Sequence, residues 1–414
     1  NSFYWLKMKK IGIFIYQLFL ILVTLGLIFI PFSFQYLDFQ PQITNLLFGN
    51  LIQFIASNFD GIHVANSEIT SDSTTLYLLF FILLILALIS RISLSFSYFW
   101  KIHQIFIIKT IQMILTFYLS CLMLKYGFDK IFKSQFYLPE PNTLYTPLGL
   151  LDRDILFWSA MGSSYSYNFF MGAIEVIPAL MLLYKKTRIL GLFILFGVLT
   201  NVVFINFGFD ISVKLYSSFL LLICFLLLIP SLNRVWQFFI LNKTVALTSL
   251  SGNDLCSSKT IRLSIKSALI LFLFFESLYP YIQKNEFNDD TVLRNPLHGA
   301  YEVIETKNEN EKKNAVDLKI KRIFIHRKNY LIFQYADDKM EDFYLEINSS
   351  KNQFLLSNYH NNEKIKMQYK YSYESKILKL ESQELGITIY SKSLPWKKLP
   401  LLQPLFHWTV DGIH

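Results

Sequence analysis

The 414-residue chain has 53% hydrophobic and only 17% charged side chains, against about 25% charged in an ordinary soluble domain. With a mean hydropathy of +0.37, that excludes a water-soluble globule. Its net charge of +9 is uneven: of 39 Lys and Arg and 30 Asp and Glu, 20 and 18 fall from Lys284 onward, leaving 19 and 12 before it.

The basic excess thus belongs to the apolar part, where it sets orientation. The polar tail has no basic stripe interleaved with aromatics, so nucleic acid is not the expected partner. A bilayer core of about 30 Å needs roughly 20 apolar residues per helix. In chain order the sequence predicts spans at Ile11–Pro31, Leu76–Ile92, Thr110–Phe128, Tyr165–Tyr184, Ile189–Phe207, Val213–Pro230 and Leu263–Tyr281. The first follows Lys7, Lys9 and Lys10 but lacks a small-x-small cleavage site, so it reads as a retained anchor. Basic residues flank alternate ends: Arg91, Lys101 and Lys109, then Lys185, Lys186 and Arg188, then Arg234, Lys243, Lys259 and Arg262. The stretch Phe32–Thr75 has none, but contains Asp38, Asp60, Glu68 and Asp72. The positive-inside rule then puts the amino terminus in the cytoplasm. An odd number of spans puts everything after Tyr281 in the periplasm of a bacterial inner membrane. The seventh span carries Lys266 and Glu276, and losing it would move the tail to the cytoplasm.

After Tyr281 the pattern changes to short alternating segments: Tyr301–Glu305, Lys321–His326, Tyr330–Tyr335, Asp342–Ile347, Gln353–Ser357, Lys366–Tyr373, Ile377–Glu381 and Ile387–Lys392. Eight strands at about ten-residue spacing predict an antiparallel meander, and closing it removes the edges. Leu297-His298-Gly299-Ala300-Tyr301 resembles the Gly-x-Trp opening of lipocalin-like barrels, with Tyr for Trp. The expected fold is an all-α multi-pass membrane bundle followed by an all-β, lipocalin-like barrel filled by its own side chains. The domains expected are 1–109 (two helices and the outer loop), 110–230 (a four-helix unit), 231–283 (a cytoplasmic loop and the last span) and 284–414 (the β domain).

Ionisable groups in a bilayer are costly, so those inside or beside spans are site candidates. They are Tyr126, Lys130 and Gln135 after the third span, Glu175 in the fourth, Asn201 and Asn206 in the fifth, and Asp210 and Lys214 at the turn into the sixth. All but Glu175 converge on the outer side. Lys130 is the natural partner of Glu175 or Asp210, and Asp210 and Lys214 are four apart. Two readings compete, interhelical packing and a ligand or proton site. Cys121, Cys224 and Cys256 show no C-x-x-C spacing, and the seven His show no paired metal spacing, so neither a disulfide framework nor a metal is expected. Gly162-Ser163-Ser164 opens the fourth helix in this reading, with one glycine too few for an anion loop.

These residues resemble DoxX-like membrane proteins. Gly127 and Lys130 match a glycine followed by lysine at the end of that family's first helix. Gly172, Glu175 and the loop Lys185-Lys186-Thr187-Arg188 match its second. A longer subgroup is closer still, through Lys133, Gln135-Phe136, Pro139, Asn201-Val202-Val203, Asn206-Phe207 and Asp210-Ile211-Ser212-Val213-Lys214. Phe406-His407-Trp408 fits its carboxyl end, whereas Ser71-Asp72-Ser73 departs from its Ser-Gly-Asp. The resemblance implies one of several roles. The first is a non-catalytic component presenting its outer face and β domain to an exported or periplasmic protein in a membrane complex, with apolar Leu46–Ile55 as part of the partner surface. The second is a quinone-linked oxidoreductase subunit with Glu175, Lys130 and Asp210 handling protons beside the quinone. The third is a carboxylase-like enzyme with Lys214 or Lys130 as base.

Overall fold

The computed structural model describes residues 10–31, 39–58, 69–245, 259–308, 319–358, 364–403 and 408–409. It divides into two compact units: residues 1–135 with 166–287, and residues 136–165 with 288–414.

The first unit is helical. Its described helices are α1 (Lys10–Phe29), α2 (Gln40–Asn58), α3 (Thr74–Phe96), α4 (Tyr98–Ile131), α7 (Tyr165–Leu183), α8 (Arg188–Gly208), α9 (Lys214–Phe239) and α10 (Lys259–Lys284). Six of them, α1, α3, α4, α7, α8 and α9, are long and apolar enough to cross a membrane. The predicted seventh span is helical too, as α10, but is not among the six; it contains Lys259, Arg262, Lys266, Glu276 and Lys284. Helix α2 lies in the stretch read from sequence as a loop. Its Asn and Gln residues dilute its hydropathy below that of a span.

Capping sets the joints. Ser97 alone separates α3 from α4: its amide donates to Leu94 O and its hydroxyl accepts from Trp100 N. Polar side chains buried between helices find backbone or one another. Tyr16 Oη donates to Leu226 O at 3.4 Å, Gln112 Nε2 to Tyr16 Oη at 2.7 Å, and Ser120 Oγ to Ala179 O at 2.8 Å. With hydrocarbon outside, such bonds and close packing hold the helices together more than exclusion of water does.

The second unit is a closed antiparallel barrel in the order β1 to β8. Its strands are β1 (Gly299–Asn308), β2 (Ile320–His326), β3 (Tyr330–Tyr335), β4 (Met340–Asn348), β5 (Gln353–Asn358), β6 (Lys364–Ser372), β7 (Ile377–Ser382) and β8 (Ile387–Ser393). All eight predicted strands form, and β1 closes on β8 with Tyr301 opposite Ser393. Asn329, Asp338, Asn352 and Gly386 adopt the left-handed conformation these residues tolerate, and sit between successive strands. Alternate residues fill the interior, including Ile323, Leu331, Phe354, Leu356, Leu378 and Leu380, each essentially unexposed. The same unit includes α5 (Pro141–Leu144) and α6 (Arg153–Gly162) from the connection between α4 and α7.

Candidate functional site

Two glycines create the central feature of the helical unit. A Cβ on Gly172 would stand 2.5 Å from Gly127 O, and one on Gly127 would stand 2.9 Å from Gly172 O. Their absence lets α4 and α7 cross backbone to backbone. Three residues further along each helix stand Lys130 and Glu175, which the crossing brings together with Nζ 2.8 Å from Oε2. The side chains are 7% and 1% exposed, so the pair is sealed from water. The Lys130 ammonium also lies 3.5 Å from Tyr126 O and 5.8 Å from the centre of that ring.

The second group is a clasp at the start of α9. Asp72, just before α3, accepts from the backbone amides of Lys214 at 2.8 Å and Leu215 at 3.1 Å. The local N-cap residue, Val213, makes no side-chain cap, so Asp72 supplies one from a distant part of the chain. Lys214 Nζ lies 2.7 Å from Asp210 Oδ1 and 3.8 Å from Asp72 Oδ2. Ser71 Oγ donates to Ser212 O at 2.6 Å. Asp72 and Asp210 both have left-handed backbone, which turns the two segments sharply toward each other.

The sequence candidates therefore fall into two sets. Tyr126, Lys130 and Glu175 meet, and Asp210 and Lys214 meet with Asp72. Asn201 is exposed. Asn206 is buried, and its Nδ2 has no partner among the described residues; the same holds for Gln135 Oε1. Gly162 ends α6 rather than opening a helix, and Tyr137 O approaches to 2.1 Å from where its Cβ would be. Cys121 and Cys224 are buried free thiols, while Cys256 and Phe406-His407 lie outside the described residues.

Sequence reading missed a cluster in the barrel unit. Glu140 is 4% exposed, accepts from His298 Nε2 at 2.8 Å and Arg327 N at 3.2 Å, and forms an ion pair with Arg327, whose Nε lies 2.7 Å from Oε1. His326 Nε2 stands 3.9 Å away. Arg327 also pairs with Asp289, which Arg294 holds at 2.8 Å, and its guanidinium lies 4.2 Å over the Tyr137 ring. Burial raises the Glu140 pKa, but the His298 hydrogen bond and the His326, His298 and Arg327 charges outweigh it and hold the carboxyl below its ordinary value. Burial pushes His326 down to about 4 against the pull of Glu140. The cluster straps the segment after residue 136 onto β1 and the β2–β3 turn. The available signal was Glu140-Pro141, an acidic residue before a proline that opens a helix.

No family model matches the chain, and no solved structure matches it. It is similar to YwoB, an uncharacterized protein of Bacillus subtilis (strain 168), at 38% identity over 71 residues. That stretch is 17% of this chain and 46% of YwoB, so the chain spans about half the length of this relative.

Proposed function

We propose that the protein is a non-catalytic membrane component whose barrel unit is offered to an exported protein partner on the non-cytoplasmic face of a bacterial inner membrane. The observation that carries this reading is where the helical unit's charges go. Lys130 is bonded to Glu175 in a solvent-sealed crossing. Asp72 and Lys214 fasten the start of α9. Groups satisfied by one another are framework, whereas a base or proton carrier must reach its substrate. The likeness to DoxX-like proteins supports the same reading, since members of that family partner other proteins at the membrane.

The orientation rests on Lys185, Lys186, Arg234 and Lys243 at one set of helix ends. Extraction of native membranes in mild detergent is the test. The expected result is a protein partner recovered in stoichiometric amount, and lost when the exposed side chains of the barrel strands are made charged. Recovery of a lone monodisperse chain would overturn the reading. A co-extracted quinone, lost in Glu175→Gln, would favour the redox alternative instead.

A further inference from the structure

Helix α2 has both ends on one side of the bundle. Tyr16, early in α1, bonds to Leu226 O midway along α9, whereas Gly26, near the end of α1, packs on Phe219 near the start of α9. The two helices are therefore antiparallel, and α1 ends where α9 begins. Helix α3 begins there as well, because Asp72 caps α9. A helix between those two points does not cross the membrane. It is anchored at the level of α1's last turn: Gln40 Nε2 donates to the carbonyls of Leu27 at 3.1 Å, Ile28 at 2.9 Å and Ile30 at 2.8 Å, and Thr44 Oγ1 to Phe29 O at 2.9 Å. These bonds satisfy carbonyls that a helix end leaves open.

One face of α2, with Phe48 and Ile52, packs into the helical core. A second stripe, Ile43, Leu47, Leu51 and Phe54, runs beside it at helical spacing and is 43%, 57%, 43% and 65% exposed. Gln42, Asn45, Gln53 and Ser57 occupy the remaining side, with Leu46, 81% exposed, among them. We infer that α2 is an in-plane helix of the outer bilayer interface, and that the Ile43–Leu47–Leu51–Phe54 stripe takes lipid acyl chains.

Two observations favour lipid over a protein partner. The stripe continues an exposed apolar surface at the same end of the bundle, formed by Ile28 of α1 and by Tyr77 and Phe81 of α3. In addition, residues 40–58 include no charged side chain, so the helix holds its place by apolar burial, with the amides of Gln42, Asn45 and Gln53 beside Leu46 on the remaining side. The inference rests on the membrane-spanning bundle; it takes Leu47, Leu51 and Phe54 out of the partner surface expected from the sequence and leaves the reading of the barrel as it is.

The test is collisional accessibility of spin labels in the full-length protein in phosphatidylcholine nanodiscs. Cys121 and Cys224 are buried and can stay, and Cys256→Ser removes the third thiol. Ile43→Cys, Leu47→Cys, Leu51→Cys and Phe54→Cys are expected to favour oxygen over a water-soluble nickel chelate by severalfold relative to Gln42→Cys, Asn45→Cys and Gln53→Cys. The pattern should persist in high salt and with phosphatidylglycerol added. High nickel accessibility along the stripe would place it in water. Low accessibility to both agents would place protein over it. Either result overturns the inference.

Discussion

Lys130 and Glu175 set the scale of what one side chain does in this bundle. The two groups stand 2.8 Å apart and all but cut off from water, so each is the other's partner. Glu175→Gln leaves a buried lysine without its counter-charge, and the expected loss of stability is about 3–5 kcal/mol. Adding Lys130→Met should recover most of it; the measurement is unfolding in a double-mutant cycle in lipid nanodiscs. The sequence made this pair legible, because ionisable residues in apolar runs are few and each must find a partner. Asp72 was less legible, since its role depends on an amide 142 residues away. In the barrel unit, His326 titrates near 4 when folded and near its ordinary value of 6.5 when unfolded. The unfolded chain therefore binds the extra proton, and stability falls as pH drops from about 6.5 to 4. The depressed carboxyl of Glu140 acts in the same direction. Thermal melts across that window should show falling stability with acid, and a shallower slope in His326→Gln.

At the scale of elements, joints carry more information than the helices they join. Gly172→Ala places a Cβ 2.5 Å from the Gly127 carbonyl, a backbone atom that moves only if α4 and α7 separate. The expected cost is about 1–3 kcal/mol, and the strain falls on the Lys130–Glu175 bond as well. Gly197→Ala, where a Cβ meets nothing within 4 Å, is the control. Asp72→Ala removes the cap of α9 and should cost about 1–2 kcal/mol, read as a lower unfolding temperature. The barrel strands were legible because alternation with polar turns has one simple solution, a meander closed on itself. Helix α2 was not, since an uncharged helix with Asn and Gln on one side falls below the hydropathy of a span and looks like loop. The extent of α4 was missed for a related reason: residues 98–109 carry Lys101, His103 and Gln104, and form a more polar first part of the same helix.

At the scale of the whole chain, parity turns the hydropathy of α10 into a prediction. Residues 136–165 and 288–414 form one compact unit, strapped by Glu140 to His298 and Arg327. A unit outside the bilayer lies on one side of it, so the chain leaves and returns to that side through α7, α8, α9 and α10. Three of these are apolar enough to cross by composition. Three crossings alone would return the chain to the other side, so the expectation is that α10 crosses as a fourth, despite Lys266 and the buried Glu276. Packing against α4 is what makes such a helix tolerable in lipid: Tyr281 Oη bonds Asp129 and meets Ser134 Oγ at 2.8 Å. Single cysteines at Gly149, Asn242 and Asn329 test this with a membrane-impermeant thiol reagent on intact cells. Gly149→Cys and Asn329→Cys should label together. Asn242→Cys, between α9 and α10, should label only after permeabilisation. If Asn242→Cys and Asn329→Cys share a side, α10 does not cross, and residues 136–165 and the barrel would lie on opposite faces, with the Glu140 strap broken.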